Sequence, residues 1–398
     1  MIKPSLPSIV SQLPGTGQPP VPHHNPPVPH DNPFALSLSK RSLARLGLTL
    51  GASALLPTAH ALPERTLAFP RDHGAHPDQR TEWWYITGYG QSEGRDVGFQ
   101  VTFFRSRIEA TQSMQSQFAA KQLLFAHCAV TDVQGKKLWH DQRIARAGFG
   151  IAQAAEQDAQ VKLRDWTLQR NASTGAYSAR IKARDFEFDL QFTPSQPVLL
   201  QGNKGLSRKG PDEKQASYYY SQPQLRATGT ITLQGKRIVL TDASKATAWL
   251  DHEWSQELLH PEAVGWDWVG MNLFDGSALT AFQLRKKDGS SLWTGGSFRA
   301  TSSSGLQTFI AQRGEVAFQA LKGWASPATG AKYPIEWLVR TPADYYTVKA
   351  IIPNQELDSR STTGAIYWEG LSDVFDSNNK HVGRGYLEMT GYAGALRL

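Results

Sequence analysis

The sequence predicts an all-β protein built from antiparallel sheets, and three observations carry that prediction. Apolar and polar residues alternate along short runs, turn-forming dipeptides recur between those runs, and almost no stretch shows the 3.6-residue spacing of an amphipathic helix. The clearest run is residues 185–192, where Phe186, Phe188, Leu190 and Phe192 alternate with Asp185, Glu187, Asp189 and Gln191. A strand with that period buries one face and wets the other. Twelve Trp, twelve Tyr and 17 Phe supply the bulky side chains that such faces favour.

The N-terminal stretch reads as an address rather than as part of the fold. Residues 1–36 are rich in Pro, His and Asn and lack hydrophobic periodicity, so they are expected to be disordered or to precede the true start, with initiation nearer residues 36–46. Lys40, Arg41 and Arg45 then lead into the apolar residues 46–56, and Ala59-His60-Ala61 has the small-x-small form of a cleavage site. Residues 37–61 are therefore expected to be a signal peptide cut after Ala61, which places the mature chain in the periplasm or outside the cell. Ser39-Lys40-Arg41-Ser42-Leu43 loosely resembles a twin-arginine signal, so both general and twin-arginine export stay open. The apolar run is too short to span a bilayer, and no other segment offers about 18 continuous apolar residues, so a soluble mature chain is expected.

The 398 residues suggest two or three domains. Two halves are expected, 62–255 and 256–398, joined in the turn-forming residues 255–264 around His260-Pro261. In the first half, Val97, Phe99, Val101 and Phe103 alternate with Gly98, Gln100 and Thr102, and residues 227–233 interleave threonines before a Gln234-Gly235 turn. The Gly- and Lys-rich residues 201–214 read as a mobile loop. In the second half, residues 266–274 and 277–285 meet at Asp275-Gly276, a strong hairpin signal, and Asp288-Gly289 makes the next turn. Residues 386–392 form the last strand, and residues 118–124 and 308–321 are the two candidate short helices. Many short strands with frequent turns fit a sandwich or an up-and-down barrel.

Charge and cysteine content exclude two classes. The formal charge of +7 is scattered, with no basic stripe interleaved with aromatics, so no nucleic-acid partner is expected. Cys128 is the single cysteine, so no intrachain disulfide forms; within the apolar residues 123–130 it reads as a small buried hydrophobe.

Four groups of residues could carry chemistry. His73, His76 and Glu82 have zinc-ligating side chains, but their spacing matches no established zinc motif, and no metal is expected. Strand alternation puts Trp83 and Tyr85 on one face and Glu82 and Trp84 on the other, one walling a cavity and one plugging a barrel end. In the second group Asp251 and Glu253 share a face opposite His252 and Trp254. A His beside a Trp could act as a general acid or hold a water, and an equally weighted alternative is a domain-junction network with Asp251 capping amides. Ser255 lacks the setting of a nucleophile elbow. In the third, Asp267 points away from Trp266 and Trp268. Facing inward it becomes a proton donor through desolvation; facing outward, the commoner case, it is a solvated charge. In the fourth, Tyr367-Trp368-Glu369-Gly370 and residues 383–392 place Glu369 and Glu388 like polar positions of neighbouring strands, with Arg384 able to pair with either. The default reading there is structural, with Glu closing a barrel end.

Together these motifs resemble one family, that of the acyclic carotenoid 1,2-hydratases (CrtC, hydroxyneurosporene synthases) and the AttH-like secreted proteins, with fungal decalin-forming cyclases as distant relatives. The matching pieces are His76-Pro77 with Glu82-Trp83-Trp84-Tyr85 and Thr87-Gly88, Asp251-His252-Glu253-Trp254, residues 266–276, Tyr367-Trp368-Glu369-Gly370 and residues 385–392; they cover about residues 66–396. The resemblance implies two lipocalin-like antiparallel β-barrel domains in tandem. It implies an elongated apolar ligand, a lipid or isoprenoid, against Trp83, Trp84, Tyr85, Trp266, Trp268 and Tyr367. For the hydratase branch it implies cofactor-free addition of water to a terminal carbon–carbon double bond, with Asp267, His252, Trp254 and Asp251 as the matching acid and its support. For the AttH-like branch, which an exported chain fits better, it implies a binding protein that accompanies the permease of an ABC exporter at the inner membrane.

Overall fold

The computed structural model describes residues 61–396 apart from residue 243; the signal-peptide reading and residues 1–36 lie outside these residues. Apart from two three-residue 3-10 turns, Arg71–His73 and Glu109–Thr111, the regular elements of this region are all strands. They form two antiparallel sheets, one from strands up to Glu257 and one from Ala263 onward.

Both sheets have the same layout. In the first, Thr81–Ser92, Arg95–Arg107, Gln122–Asp132 and Lys137–Arg146 run outward to one edge, and Ala246–Glu257, Ala216–Leu233, Phe186–Thr193 and the shorter strands back to Ala152–Ala154 run outward to the other. The first and last strands of the meander therefore pair, and the two edges are consecutive in the chain. Side chains close that gap: the Arg143 guanidinium reaches Asp165 and the Lys182 carbonyl, and the Arg184 amide donates to Asp141. In the second sheet Ala263–Leu273 likewise pairs with the final strand His381–Met389, and the open edges are the consecutive strands Gly305–Ile310 and Ala317–Ala325. The result is two lipocalin-like barrels in tandem.

The residues read as helices are not helical. Residues 118–121 are irregular and run into the strand Gln122–Asp132, and residues 308–321 divide between two edge strands. The helix-favouring residues around Ala317–Ala325 sit on an exposed edge, where no alternation marks a strand, and pairing with Lys332–Arg340 overrides their propensity. The stretch 201–214 is also more ordered than expected. Leu199–Leu200 and Leu206–Arg208 pair with Ala216–Leu233, and Gln201, Ser207 and Lys209 are buried.

Three larger apolar clusters hold the body together, with a smaller fourth around Ala129, Leu357 and Tyr367. One fills the first barrel around Trp84, Phe99, Trp166 and Leu250, and one fills the second around Met271, Tyr333, Trp337 and Trp368. The third lies between the barrels, where Tyr85 and Trp249 of the first sheet pack on Trp268, Phe282, Leu371 and Tyr386 of the second. Hydrogen bonds cross the same seam, including Trp268 to the Tyr219 hydroxyl at 3.1 Å, Thr131 to Gln355 at 3.0 Å and a His127–Tyr367 contact at 2.9 Å. Strands at the seam are thus buried on both faces.

Gly98 shows how close the sheets come. A Cβ there would sit 2.7 Å from the Tyr386 hydroxyl and 3.2 Å from Leu371. Gly98→Val is expected to wedge the seam and to lower stability by about 1–3 kcal/mol in urea unfolding. Gly323→Ala, with free space around its Cβ, should stay within about 0.5 kcal/mol of wild type.

Candidate functional site

Register fixes which side chains enter the seam. Tyr85 pairs across the ladder with Asp251, and Asp251 with Ser221; Trp83 pairs with Glu253, and Glu253 with Tyr219. With a period of two, these residues all leave the outer face of the first barrel. From the second barrel, Trp268 pairs with Glu388 and Glu388 with Glu369, so this row faces them. Four carboxylates, Asp251, Glu253, Glu369 and Glu388, thereby meet among aromatic rings. The first three are 3–5% exposed, and one edge of Glu388 reaches solvent.

Their partners differ. Asp251 accepts hydrogen bonds from Tyr219, Ser221 and Trp249, each at 2.6 Å, yet burial outweighs these donors and pushes its carboxyl up to about 7. Glu253 lies 3.0 Å from the ammonium of Lys209, which also sits over the rings of Tyr219 and Phe282. Burial raises Glu369 well above the usual carboxylate range, and the adjacent Glu388 adds to the effect. Burial likewise pushes Glu388 up to about 8, with the Trp266 indole opposing and Asp251 and Glu253 reinforcing. The Tyr85 hydroxyl is buried facing Glu369 across the seam, and Tyr85 and Tyr367 partly oppose the rise of the Glu369 carboxyl. Two like charges in a desolvated pocket cannot both ionise, so Glu369 and Glu388 together retain at least one proton at neutral pH. Such groups can donate a proton to a bound molecule.

The aromatic lining contains several of the residues singled out in sequence. The Tyr85 and Trp268 rings meet edge-on at 5.4 Å, Trp249 and Trp268 at 6.3 Å, and half-buried Trp83 and Trp266 belong to the same cluster. Tyr367 stands beside them with its hydroxyl on His127.

The other sequence-derived residues lie elsewhere. Trp84, His252 and Trp254 leave the opposite face of the same strands and enter the first barrel. There Glu82 is a hub: His76 Nδ1 and His252 Nε2 lie 2.7 and 3.0 Å from Oε1, and Arg105 Nε donates to Oε2 at 2.7 Å. Burial alone would raise Glu82, but the His252 and His76 contacts and the Arg105 charge hold it below the usual carboxylate range. Burial pushes His252 down, with Glu82 opposing. His76 stacks on Trp254 at 3.8 Å, and His252 on Trp84 at 4.8 Å. His73 does not join Glu82; its Nδ1 lies 2.7 Å from the Tyr220 hydroxyl.

Asp267 enters the second barrel, where it pairs with Arg285 at 2.7 Å and accepts from Gln283 and Tyr392. It is fully buried, so the solvated alternative is overturned; a complementary guanidinium in the barrel interior makes burial tolerable. Asp267 and His252 therefore sit in different barrels and share no partner. Arg384 pairs with Asp373 and Asp96 rather than with Glu369 or Glu388, because the ladder sets Asp373 opposite it. Sequence reasoning named Glu369 and Glu388 but read them as structural, and it missed Tyr219 and Lys209. The alternation that set Asp251 and Glu253 on one face was the available signal.

Comparison with known proteins adds a family. The sequence model of the family described as AttH-like matches residues 60–392. The crystal structure of a candidate AttH from Nitrosomonas europaea is similar with a TM-score of 0.76 and 45% identity, covering 83% of this chain and 99% of that one. The crystal structure of kievitone hydratase from Nectria haematococca has the same fold, with a TM-score of 0.63 at 10% identity over 83% of this chain and 94% of that one. By sequence, kievitone hydratase from Fusarium solani subsp. phaseoli is 22% identical over 242 residues, 58% of this chain and 64% of that relative's length.

The raised carboxyls give a pH signature. The folded state holds the Glu388 proton up to about pH 8, whereas the unfolded chain releases it near the ordinary glutamate value of 4.5. Between these values the folded state binds more protons, so stability falls as pH rises through that window. Glu388→Gln is expected to flatten that fall by about 2 kcal/mol, allowing for the solvent at its edge, in urea midpoints measured from pH 4 to pH 9.

Proposed function

The chain belongs to the AttH-like family, and on that premise we propose that it is a hydratase-type acid catalyst acting on an elongated apolar alkene held between its two barrels. The observation that carries this reading is Glu369, buried opposite Glu388 in an aromatic seam and raised well above the usual carboxylate range. A passive apolar container gains nothing from buried carboxyls, whose desolvation is unfavourable; an alkene hydratase requires one. The similarity to proteins named kievitone hydratase supports the same reaction class.

The chemistry follows from the lining. Protonated Glu369 gives its proton to the less substituted alkene carbon, and positive charge develops on the more substituted one. The ring faces of Trp268, Trp249 and Tyr85 stabilise that cation. Water forms the new C–O bond at the cationic carbon, and its released proton returns to the carboxylate, so the enzyme ends unchanged. Glu388, at the solvent edge, relays protons to Glu369, and Asp251 with its three donors fixes the opposite wall. Half-buried Trp83 and Trp266 continue the aromatic surface outward, the path for a long chain. His252 and Trp254 support the strand from behind, and Asp267 holds the second barrel together.

A second reading is a periplasmic carrier for a lipid or isoprenoid that serves an ABC exporter. It is favoured by the signal-like residues 37–61 and by an apolar cavity of about 170 Å³ inside the second barrel, lined by Leu279, Phe298, Phe309 and Val316.

The test is incubation of the mature chain with acyclic polyenes bearing a terminal trisubstituted double bond, such as lycopene and squalene, in ¹⁸O-water. A tertiary alcohol carrying one ¹⁸O is expected. Glu369→Gln should lower the rate about 10²–10⁴-fold, and Asp267→Asn should retain wild-type activity per folded molecule. Intact apolar molecules recovered from the protein, with no alcohol from any substrate, would instead establish the carrier.

A further inference from the structure

Three ligand-type atoms from separate segments converge inside the first barrel, away from the seam: His76 Nδ1, Glu82 Oε1 and His252 Nε2, all within 4.8 Å of one another and all buried. They come from the segment before the first strand, from the strand Thr81–Ser92 and from its ladder partner Ala246–Glu257. We propose that these three side chains form a divalent transition-metal site that clamps the end of the first barrel.

The argument rests on what surrounds the three atoms. The outer nitrogen of each imidazole is already committed: His76 Nε2 lies 3.0 Å from Asp72 Oδ1, and His252 Nδ1 lies 3.1 Å from the Asp72 backbone carbonyl. An acceptor at each position fixes the ring proton there. The inner nitrogens then aim lone pairs at Glu82 Oε1, at 2.7 and 3.0 Å. Oxygen and nitrogen lone pairs at these distances repel unless a proton or a metal cation lies between them. Glu82 is oriented in the same way: Arg105 Nε donates to its other oxygen, and the His76 amide is shared between the two, 2.9 Å from Oε2 and 3.1 Å from Oε1. Carboxylate, carbonyl and guanidinium partners of this kind position metal ligands and set their tautomers.

The dimensions also fit. Ligand atoms about 2.0–2.1 Å from a tetrahedral ion are roughly 3.3 Å apart; the two contacts to Glu82 Oε1, at 2.7 and 3.0 Å, would lengthen toward that spacing, and the two imidazole nitrogens lie within 4.8 Å of one another, so small side-chain shifts bring the three donors to it. The donor set of two imidazoles and one carboxylate suits zinc and its first-row neighbours. His73, which the sequence set beside His76, takes no part because it turns to Tyr220. Without an ion, the same contacts require each ring to carry a second proton.

The experiment uses the full mature chain, stripped with a chelator and dialysed against Zn²⁺ or Co²⁺. About one equivalent of zinc should be retained, with a rise of several degrees in Tm, and Co²⁺ should give the intense visible bands of low-coordinate cobalt. His252→Gln should abolish both signals, and His76→Gln, nearer the surface, tests the site if His252→Gln fails to fold. His73→Gln should retain the metal. No retained metal and no Tm shift in folded wild type, or equal binding by folded His76→Gln, would overturn the proposal, the latter marking an adventitious ion only.

Discussion

The structure turns on desolvation of carboxyl groups between two barrels. Strand alternation gives each sheet an inner face, which fills its own barrel, and an outer face, which is usually left to water. Here the outer faces of Thr81–Ser92, Ala246–Glu257 and Ala216–Leu233 press against those of Ala263–Leu273, Ile366–Phe375 and His381–Met389. Polar residues at outward positions, which would be solvated on a single barrel, become interior groups. Glu369 and Asp251 are acids with raised proton affinity because the second sheet removes their water.

The same constraint separates three polar networks that lie close in sequence. His252 and Asp251 are neighbours in the chain, yet one belongs to a cluster inside the first barrel and the other to the seam. Trp268 and Asp267 divide likewise between the seam and the second barrel. Each interior network is neutralised by an arginine, Arg105 on Glu82 and Arg285 on Asp267. In the seam Lys209 pairs with Glu253 and Arg384 with Asp96, whereas Glu369 makes no ion pair among the described residues. Buried acids that lack a counter-ion are the ones available to give protons away.

Much of the fold was legible because period-two patterning is local. Phe186–Thr193 follows its predicted alternation residue by residue, and Gln234-Gly235 turns with both residues at positive φ. Edge strands were harder, since Ala317–Ala325 is exposed on both faces and carries no pattern. The faces of Asp251, His252 and Asp267 were also readable. What lay beyond them was not, because that depends on which sheet covers which. Glu369 and Glu388 read as ordinary polar positions until their ladder partners and the opposing Tyr85 are known. Residues 201–214 read as free loop because their anchoring strands are two and three residues long.

The most direct measurement is a ¹³C-carboxyl NMR titration of glutamate-labelled protein, with signals assigned through Glu369→Gln and Glu388→Gln. Desolvation at the seam predicts that at least one of these two carboxyls remains protonated through neutral pH and loses its signal in the respective variant. Titration of every glutamate near the ordinary value of about 4.3 would contradict it and leave the barrels with no acid to offer a substrate.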